Sequence, residues 1–297
     1  MYVLTTPVRD ELEGLPALVA AMDALEPAPA LWLVVDDGST DGSRAWLDAA
    51  SAGHPFLRVV SAPEPATEYL GAHVARIKRW GLSEAVRRAA EGGVVARFAG
   101  VLDADIEVPP DHYGRLLEAF AQDELLGVAS SIVASRGTDG VARIEDLQRD
   151  DLPRGGTQFF RVACLDSIGG LPPFPGFDGA ANVKARLRGW RCRLLTDLVA
   201  VQRRETASRF GVAAGYARKG RYAWFLGHHP ALVLARATAY AVRGPRAAAV
   251  PFLRSWLHEA RTGGARCPDP EIRDYYGRER LREYLRRGGG GAGFARR

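Results

Sequence analysis

Cysteine, lysine and long apolar runs are what this sequence has least of. Three cysteines, Cys164, Cys192 and Cys267, occur in 297 residues. They are odd in number and lack metal-type spacing, which excludes a disulfide framework and a thiolate zinc site and predicts reduced thiols. Only three residues are lysine: Lys78, Lys184 and Lys219. No Lys/Arg run is interleaved with aromatics, so the usual mark of a nucleic-acid surface is missing. The best candidate for a membrane span, Pro230 to Val242, is short and carries Arg236. No basic leader precedes Met1-Tyr2-Val3-Leu4-Thr5-Thr6, so no signal peptide is expected. These absences predict a cytoplasmic protein, at most peripheral at the inner face of a membrane.

What is present is ordinary globular composition, 47% hydrophobic and 25% charged. The length suits one large α/β domain plus an appendage. Net charge is +5, mostly from arginine, and the sequence pI is about 9.3. That excess is compatible with an anionic partner such as a nucleotide sugar or a lipid phosphate surface.

Apolar periodicity alternates strands and helices. Tyr2–Thr6, Leu31–Val35, Leu57–Ser61, Val94–Leu102 and Gly127–Ala134 read as strands. Asp10 is placed to cap a helix, with Leu12, Leu15, Val19 and Met22 on one face. Further helices are expected near Ser43–Ala50, over Ser83–Ala90, from Asp111 to Phe120, and from Gly179 to Arg188 with Val183 and Leu187 facing inward. Repeated strand–helix units with apolar strands imply a mostly parallel sheet with helices on both faces. Right-handed crossovers bring the strand carboxyl ends to one rim, which collects Pro7–Glu11, Asp36–Thr40 and Asp103–Asp105. From about Arg203 aromatics mix with arginine. A helical, Arg-rich extension is expected over 206–287, and a disordered tail over 288–297.

Asp103-Ala104-Asp105 follows an apolar strand, and hard carboxylate oxygens so spaced suit Mg²⁺ or Mn²⁺ carrying a diphosphate. Around it stand Pro7-Val8-Arg9-Asp10-Glu11, Val34-Val35-Asp36-Asp37-Gly38-Ser39, Gly155-Gly156-Thr157-Gln158-Phe159-Phe160-Arg161 and Gly176-Phe177-Asp178. In this order the motifs resemble a family 2 glycosyltransferase of the GT-A fold. The resemblance covers roughly residues 1–205 and, more loosely, 215–230.

The resemblance implies a metal-dependent, inverting transfer of a sugar from a nucleotide-diphosphate sugar to an acceptor hydroxyl. A UDP-sugar is favoured, with GDP or dTDP as alternatives. Residues 1–110 would hold the donor and 111–205 the acceptor. Asp36 and Asp37 correspond to base- and ribose-binding carboxylates, with Pro7, Arg9, Glu11 and Ala104 beside them. For Asp41 and Ser43 a turn opening the next helix is the preferred role. Asp105 corresponds to the metal ligand, and Asp103 to a contact with ribose or a metal-bound water. Asp178 corresponds to the general base, although an Asp there could equally cap a helix. Relatives often carry a second acid beside it, where this chain has Gly179-Ala180-Ala181. One of Arg76 and Lys78, two residues apart and so on different helix faces, would reach the diphosphate. Gly156, Thr157, Gln158, Phe177, Gln202 and Arg203 or Arg204 are candidates for acceptor or diphosphate contacts. The acceptor is open among a natural product, a glycan and a lipid-linked sugar, with peripheral membrane contact through the C-terminal region.

Two other classes compete. A sugar nucleotidyltransferase would need a Gly-rich basic loop after the first strand, where this chain is acidic. A non-catalytic peripheral membrane or scaffold protein would have no need of Asp37, Asp105 and Asp178. His228-His229 before Pro230 reads as a surface pair at a helix start.

Overall fold

The computed structural model describes residues 1–64, 71–136, 141–144, 152–203, 212–243 and 248–286. The chain divides into two compact units, Met1–Arg203 and Arg204–Arg296. The expected tail, 288–297, and Arg204 lie outside the described residues.

The first unit is built on one mixed, mostly parallel sheet. Its strands are β1 (Tyr2–Val8), β2 (Leu31–Asp36), β3 (Leu57–Ser61), β4 (Phe98–Val101), β5 (Ile106–Glu107), β6 (Leu126–Arg136), β7 (Ala142–Ile144), β8 (Phe159–Arg161) and β9 (Arg191–Gln202). The spatial order is β3-β2-β1-β4-β8-β6-β9-β5, with β7 on β6. β3, β2, β1 and β4 run parallel, β8 runs against both β4 and β6, and β6 and β9 are parallel again. All six residues of β2 are buried, as befits a parallel strand covered on both faces.

Side chains alternate between two cores. On one face Tyr2, Leu4, Trp32 and Val34 meet α1 (Leu15–Asp23), α2 (Ser43–Ser51) and α4 (His112–Gln122) through Leu15, Met22, Leu47, Tyr113 and Phe120. On the other, Val3, Leu33 and Val35 meet α3 (Ala72–Glu91), α5 (Val162–Ser167) and α6 (Phe177–Leu187) through Ile77, Leu82, Cys164 and Ala181. This two-residue alternation fixes the strand register, because a one-residue slip would exchange the cores.

Several expected boundaries move. Only Phe98–Val101 of the run Val94–Leu102 is strand. Val95 is 79% exposed, because 94–97 carries the chain from the end of α3 to the start of β4 in the middle of the sheet. α3 begins eleven residues before the expected Ser83 and passes through Gly81. A Cβ there would stand 2.3 Å from Thr5 Oγ1, so the glycine is where the helix presses on β1. Asp10 does not cap a helix: at φ +54° its Oδ1 instead accepts from the Thr40 amide at 2.7 Å. α6 starts at Phe177 after Gly176 at φ +75°, so Asp178 lies in its first turn rather than at its cap. Leu187, in the last turn of α6, is 47% exposed rather than inward.

The second unit comprises α7 (Val212–Phe225), α8 (Pro230–Arg243), α9 (Ala249–Thr262), α10 (Pro270–Asp274), a π turn (Tyr275–Glu279) and α11 (Arg280–Arg286). Its core joins Ala223, Val233, Ala237, Tyr240, Ala248 and Phe252. Gly220 lets α7 approach α9, since a Cβ there would meet Phe252 O at 2.1 Å. His228 and His229 precede α8, as expected, but His228 is not a surface residue. Its ring stacks on Tyr276 at 4.3 Å, and burial pushes its pKa down to about 3. His229 Nδ1 accepts from the Ala231 amide at 3.2 Å. Among the described residues no helix is long and apolar enough to cross a membrane.

Candidate active site

The carboxyl ends of β1, β2 and β4 form one rim, because Val8 pairs with Asp36 and Thr5 with Val101 in parallel register. Two loops on that rim are laced together by side chains bonding backbone. Ser39 Oγ accepts from the Asp10 amide at 3.1 Å, Ser43 Oγ from Glu11 at 3.0 Å, and Asp41 Oδ2 from Leu12 at 2.9 Å. The Ser43 hydroxyl, followed by the Leu12 amide, holds the Asp41 carboxyl below its ordinary range. Asp41 and Ser43 thus take the turn-forming place expected of them.

That lacing positions the two neighbouring carboxylates. Asp36 is buried, and its Oδ1 accepts from the Ser39 amide at 3.3 Å. Asp37 Oδ1 lies 2.7 Å from His73 Nε2, and its Oδ2 lies 3.8 Å from Arg9 Nη1. His73 is buried in the first turn of α3, and among the described residues its Nδ1 has no hydrogen-bond partner. Pro7 is half-buried in β1, opposite Val35.

The same helix reaches the second acidic pair. Lys78, 4% exposed, places Nζ 2.6 Å from Asp103 Oδ1. The ammonium also donates to Gly155 O at 3.3 Å and lies 4.9 Å from the centroid of the Phe177 ring. Arg76 turns the other way, to Glu64 at 3.0 Å. Of the two basic candidates, Lys78 is therefore the one at the Asp103 turn. The Asp103 amide donates to Gly156 O at 3.0 Å. A Cβ on Gly156 would stand 2.6 Å from Ile106 Cδ1 and 3.1 Å from Asp103 Oδ2, so a side chain here would have to displace Ile106 and crowd the Asp103 carboxylate.

Asp105 is half-buried, and its Oδ2 accepts from Gln202 Nε2 at 2.9 Å. Arg203 fastens the backbone below. Its amide donates to Asp105 O at 2.8 Å, and its Nη2 donates to Ala104 O at 2.7 Å. Its guanidinium lies against Gly14, 2.3 Å from where a Cβ would be. Arg203 is thus a buttress of the turn.

Asp178 stands against the neighbouring glycine, its Cβ 3.0 Å from where a Cβ on Gly155 would be. Gly155-Gly156 therefore has Asp178 on one residue and Asp103 on the next. Two of the expected contact residues lie inside the fold. Thr157 and Gln158 are buried, because strand β8 turns them into the floor of the site. Thr157 Oγ1 accepts from Ser131 Oγ at 3.2 Å, and Gln158 Nε2 reaches Asn182 Oδ1 at 3.1 Å and Asp178 O at 3.2 Å. Phe177 packs partly into the core beneath Lys78.

His73 was not among the expected site residues because α3 was expected to begin eleven residues later, at Ser83. A helix read from Ala72 would have put its first turn, and His73, at the rim by the right-handed crossover.

Among the described residues no three His, Cys, Asp or Glu side chains converge as a ready-made metal cage. Asp105 and Asp103 offer hard oxygens, half-exposed on one turn. Such a donor set fits Mg²⁺ or Mn²⁺ sharing its remaining ligands with a diphosphate and water.

The profile of Glycosyl transferase family 2 matches residues 5–161, the stretch that carries Asp36-Asp37 and Asp103-Ala104-Asp105. The chain belongs to glycosyl transferase family 2. Over 127 residues it is 35% identical to an undecaprenyl-phosphate 4-deoxy-4-formamido-L-arabinose transferase of Sodalis glossinidius, covering 40% of this chain and 33% of that protein. It is 32% identical over 127 residues to an undecaprenyl-phosphate mannosyltransferase of Micrococcus luteus, covering 42% and 47%. The likeness thus spans a third to a half of these curated relatives. Among solved structures, a mannosyltransferase of Pyrobaculum calidifontis with GDP-Man and Mn²⁺ superposes with a TM-score of 0.57 at 18% identity, covering 96% of this chain and 80% of that one. S. aureus TarS with UDP-GlcNAc gives a TM-score of 0.56 at 14% identity, covering 97% and 92%. These neighbours share the family 2 chain's GT-A fold.

Proposed function

We propose that this family 2 chain is an inverting glycosyltransferase that uses a nucleotide-diphosphate sugar and a divalent metal. One observation carries the proposal. Two acidic pairs share the rim, and a buried side chain of the same helix grips each: His73 on Asp37 and Lys78 on Asp103.

In this reading Asp36 and Asp37 receive the base and ribose, with Arg9, Glu11, Pro7 and Ala104 around them. UDP is favoured, with GDP and dTDP as alternatives. Asp105 holds Mg²⁺ or Mn²⁺, Gln202 steadies its carboxylate, and Asp103 meets the ribose or a metal-bound water. When bound, the metal neutralises the diphosphate and stabilises charge on the leaving group. Lys78 adds a buried positive charge beside it. Asp178 takes the proton of an attacking hydroxyl, a step that typically contributes 10²–10⁴-fold. Residues 1–110 form the donor half and 111–205 the acceptor half. The names of the curated relatives suggest a lipid-linked acceptor, which would bring the chain to a membrane surface. A phosphate oxygen carries no proton that must be removed, so Asp178 also discriminates between acceptor types.

Nucleoside diphosphate with Mn²⁺ should raise the melting temperature by ligand linkage. Asp105→Ala should abolish the metal-dependent part of that shift while the protein stays folded. Undiminished metal-dependent affinity in this variant would remove Asp105 as the ligand, and no shift with UDP, GDP or dTDP would sink the donor site. Asp178→Asn should bind donor normally and lower turnover by about 10²-fold or more on a hydroxyl acceptor. Near-normal turnover would assign the base elsewhere or point to a phosphate acceptor.

A further inference from the structure

Charge is divided unevenly along the chain. Residues 1–203 hold 21 Lys/Arg against 28 Asp/Glu, whereas residues 204–297 hold 19 against 7. The second unit is therefore strongly cationic while the first is acidic. The imbalance is sharpest over 230–262, with Arg236, Arg243, Arg246, Arg254 and Arg261 against the single acid Glu259.

The same stretch exposes apolar side chains. On α8, Val233, Ala237 and Tyr240 are buried, while Leu234 is 55% and Val242 74% exposed. Ala231, Leu234, Thr238, Ala241 and Val242 recur at helical spacing as an outward face free of charge. On α9, Phe252 is buried and Val250 is 71% exposed. Val250, Arg254, Leu257 and Arg261 follow at i, i+4, i+7 and i+11, so apolar and cationic side chains alternate along the exposed stripe. Neither Arg254 nor Arg261 has an acidic partner among the described residues. A second copy meeting this face with its own α8–α9 face would set arginine against arginine and repel.

We infer that the outward faces of α8 and α9 dock on an anionic phospholipid bilayer. The helices would lie in the headgroup plane, with Leu234, Val242, Val250 and Leu257 at the acyl boundary. Arg254 and Arg261 would extend their stems along it and pair with lipid phosphates. Apolar contact and charge would then act together, as stable peripheral binding requires. The inference deepens the membrane part of the proposed function and is independent of the transfer chemistry.

Co-sedimentation of the full chain with vesicles tests it, without donor or metal. The protein should pellet with phosphatidylcholine–phosphatidylglycerol vesicles, less so as salt rises, and remain in solution with phosphatidylcholine alone. Arg254→Ala with Arg261→Ala should weaken binding about tenfold or more, and Leu234→Ser with Val250→Ser should weaken it too. All four positions are exposed, so the unchanged melting curve of each variant confirms its fold. Equal binding to both vesicle types, no binding, or variants that bind like wild type would overturn the inference. So would a concentration-dependent dimer that these substitutions dissolve. The nucleotide-induced melting shift is measured separately, so the donor site and the docking surface can fail independently.

Discussion

His73 and Lys78 lie five residues apart on α3, and each ends on a different carboxylate of the rim. A hydrogen bond to a charged group contributes about 1.5–3 kcal/mol, and a buried carboxylate that loses its donor also bears a desolvation cost. His73 donating from Nε2 fixes which Asp37 lone pairs remain for a ligand. His73→Ala should therefore weaken nucleoside diphosphate binding by about tenfold or more, raising the donor KM with little change in kcat. His73→Gln, whose amide nitrogen can reach a similar place, should recover most of the loss. Calorimetric titration of the nucleotide checks both, and an unaltered affinity in His73→Ala would make the contact purely structural. Lys78 differs in kind. As a buried ammonium between Asp103 and Gly155 O, it cannot be removed without leaving Asp103 unpaired.

At the scale of elements, α3 is the part that decides the site and the part least legible beforehand. β1 and β2 were readable almost to the residue, because each is a short apolar run buried on both faces, and edge strand β3 was readable from Leu57, Val59 and Val60 although only Leu57 is buried. The helix was not, because Arg76, Lys78, Arg79 and the central Gly81 break the apolar pattern over its first half. Those residues are determined by what they touch: Glu64, Asp103, Leu171 O and Thr5. None of these contacts is local in sequence. β4 was overestimated for the opposite reason, since Val94-Val95-Ala96 is apolar without being paired. Asp36-Asp37 and Asp103-Ala104-Asp105 were legible as candidates because carboxylates that follow strands fall on one rim. The inward turn of Thr157 and Gln158 was not, since it depends on β8 running antiparallel between β4 and β6. Gly81→Ala tests the helix seat. Alanine favours helix by about 1 kcal/mol, whereas forcing a methyl against Thr5 and Val35 costs roughly 1–3 kcal/mol. The net expectation is a lower urea midpoint together with weaker nucleotide binding, because His73 and Lys78 ride on the displaced helix. A midpoint above wild type would show that the contact yields.

At the scale of the molecule, the two units have separate cores and opposite charge. Among the described residues both cores of the first unit lie within 1–203, and so do the partners given above for Asp37, Asp103 and Asp105. A chain ending after Arg203 should remain soluble and unfold in one cooperative urea transition followed by circular dichroism. It should also keep its nucleotide- and Mn²⁺-dependent melting shift. Loss of cooperativity would show that the cationic unit is needed to complete the fold.

Arg203 gives the junction between the units a particular character. Its amide and guanidinium grip Asp105 O and Ala104 O, and the guanidinium covers Gly14. The last rung before the peptide leaves for the C-terminal unit is thus a clamp set directly behind the acidic turn. A clamp there isolates what lies on either side. Different C-terminal units could be spliced after this position over evolutionary time without disturbing the geometry of the carboxylates in front of it.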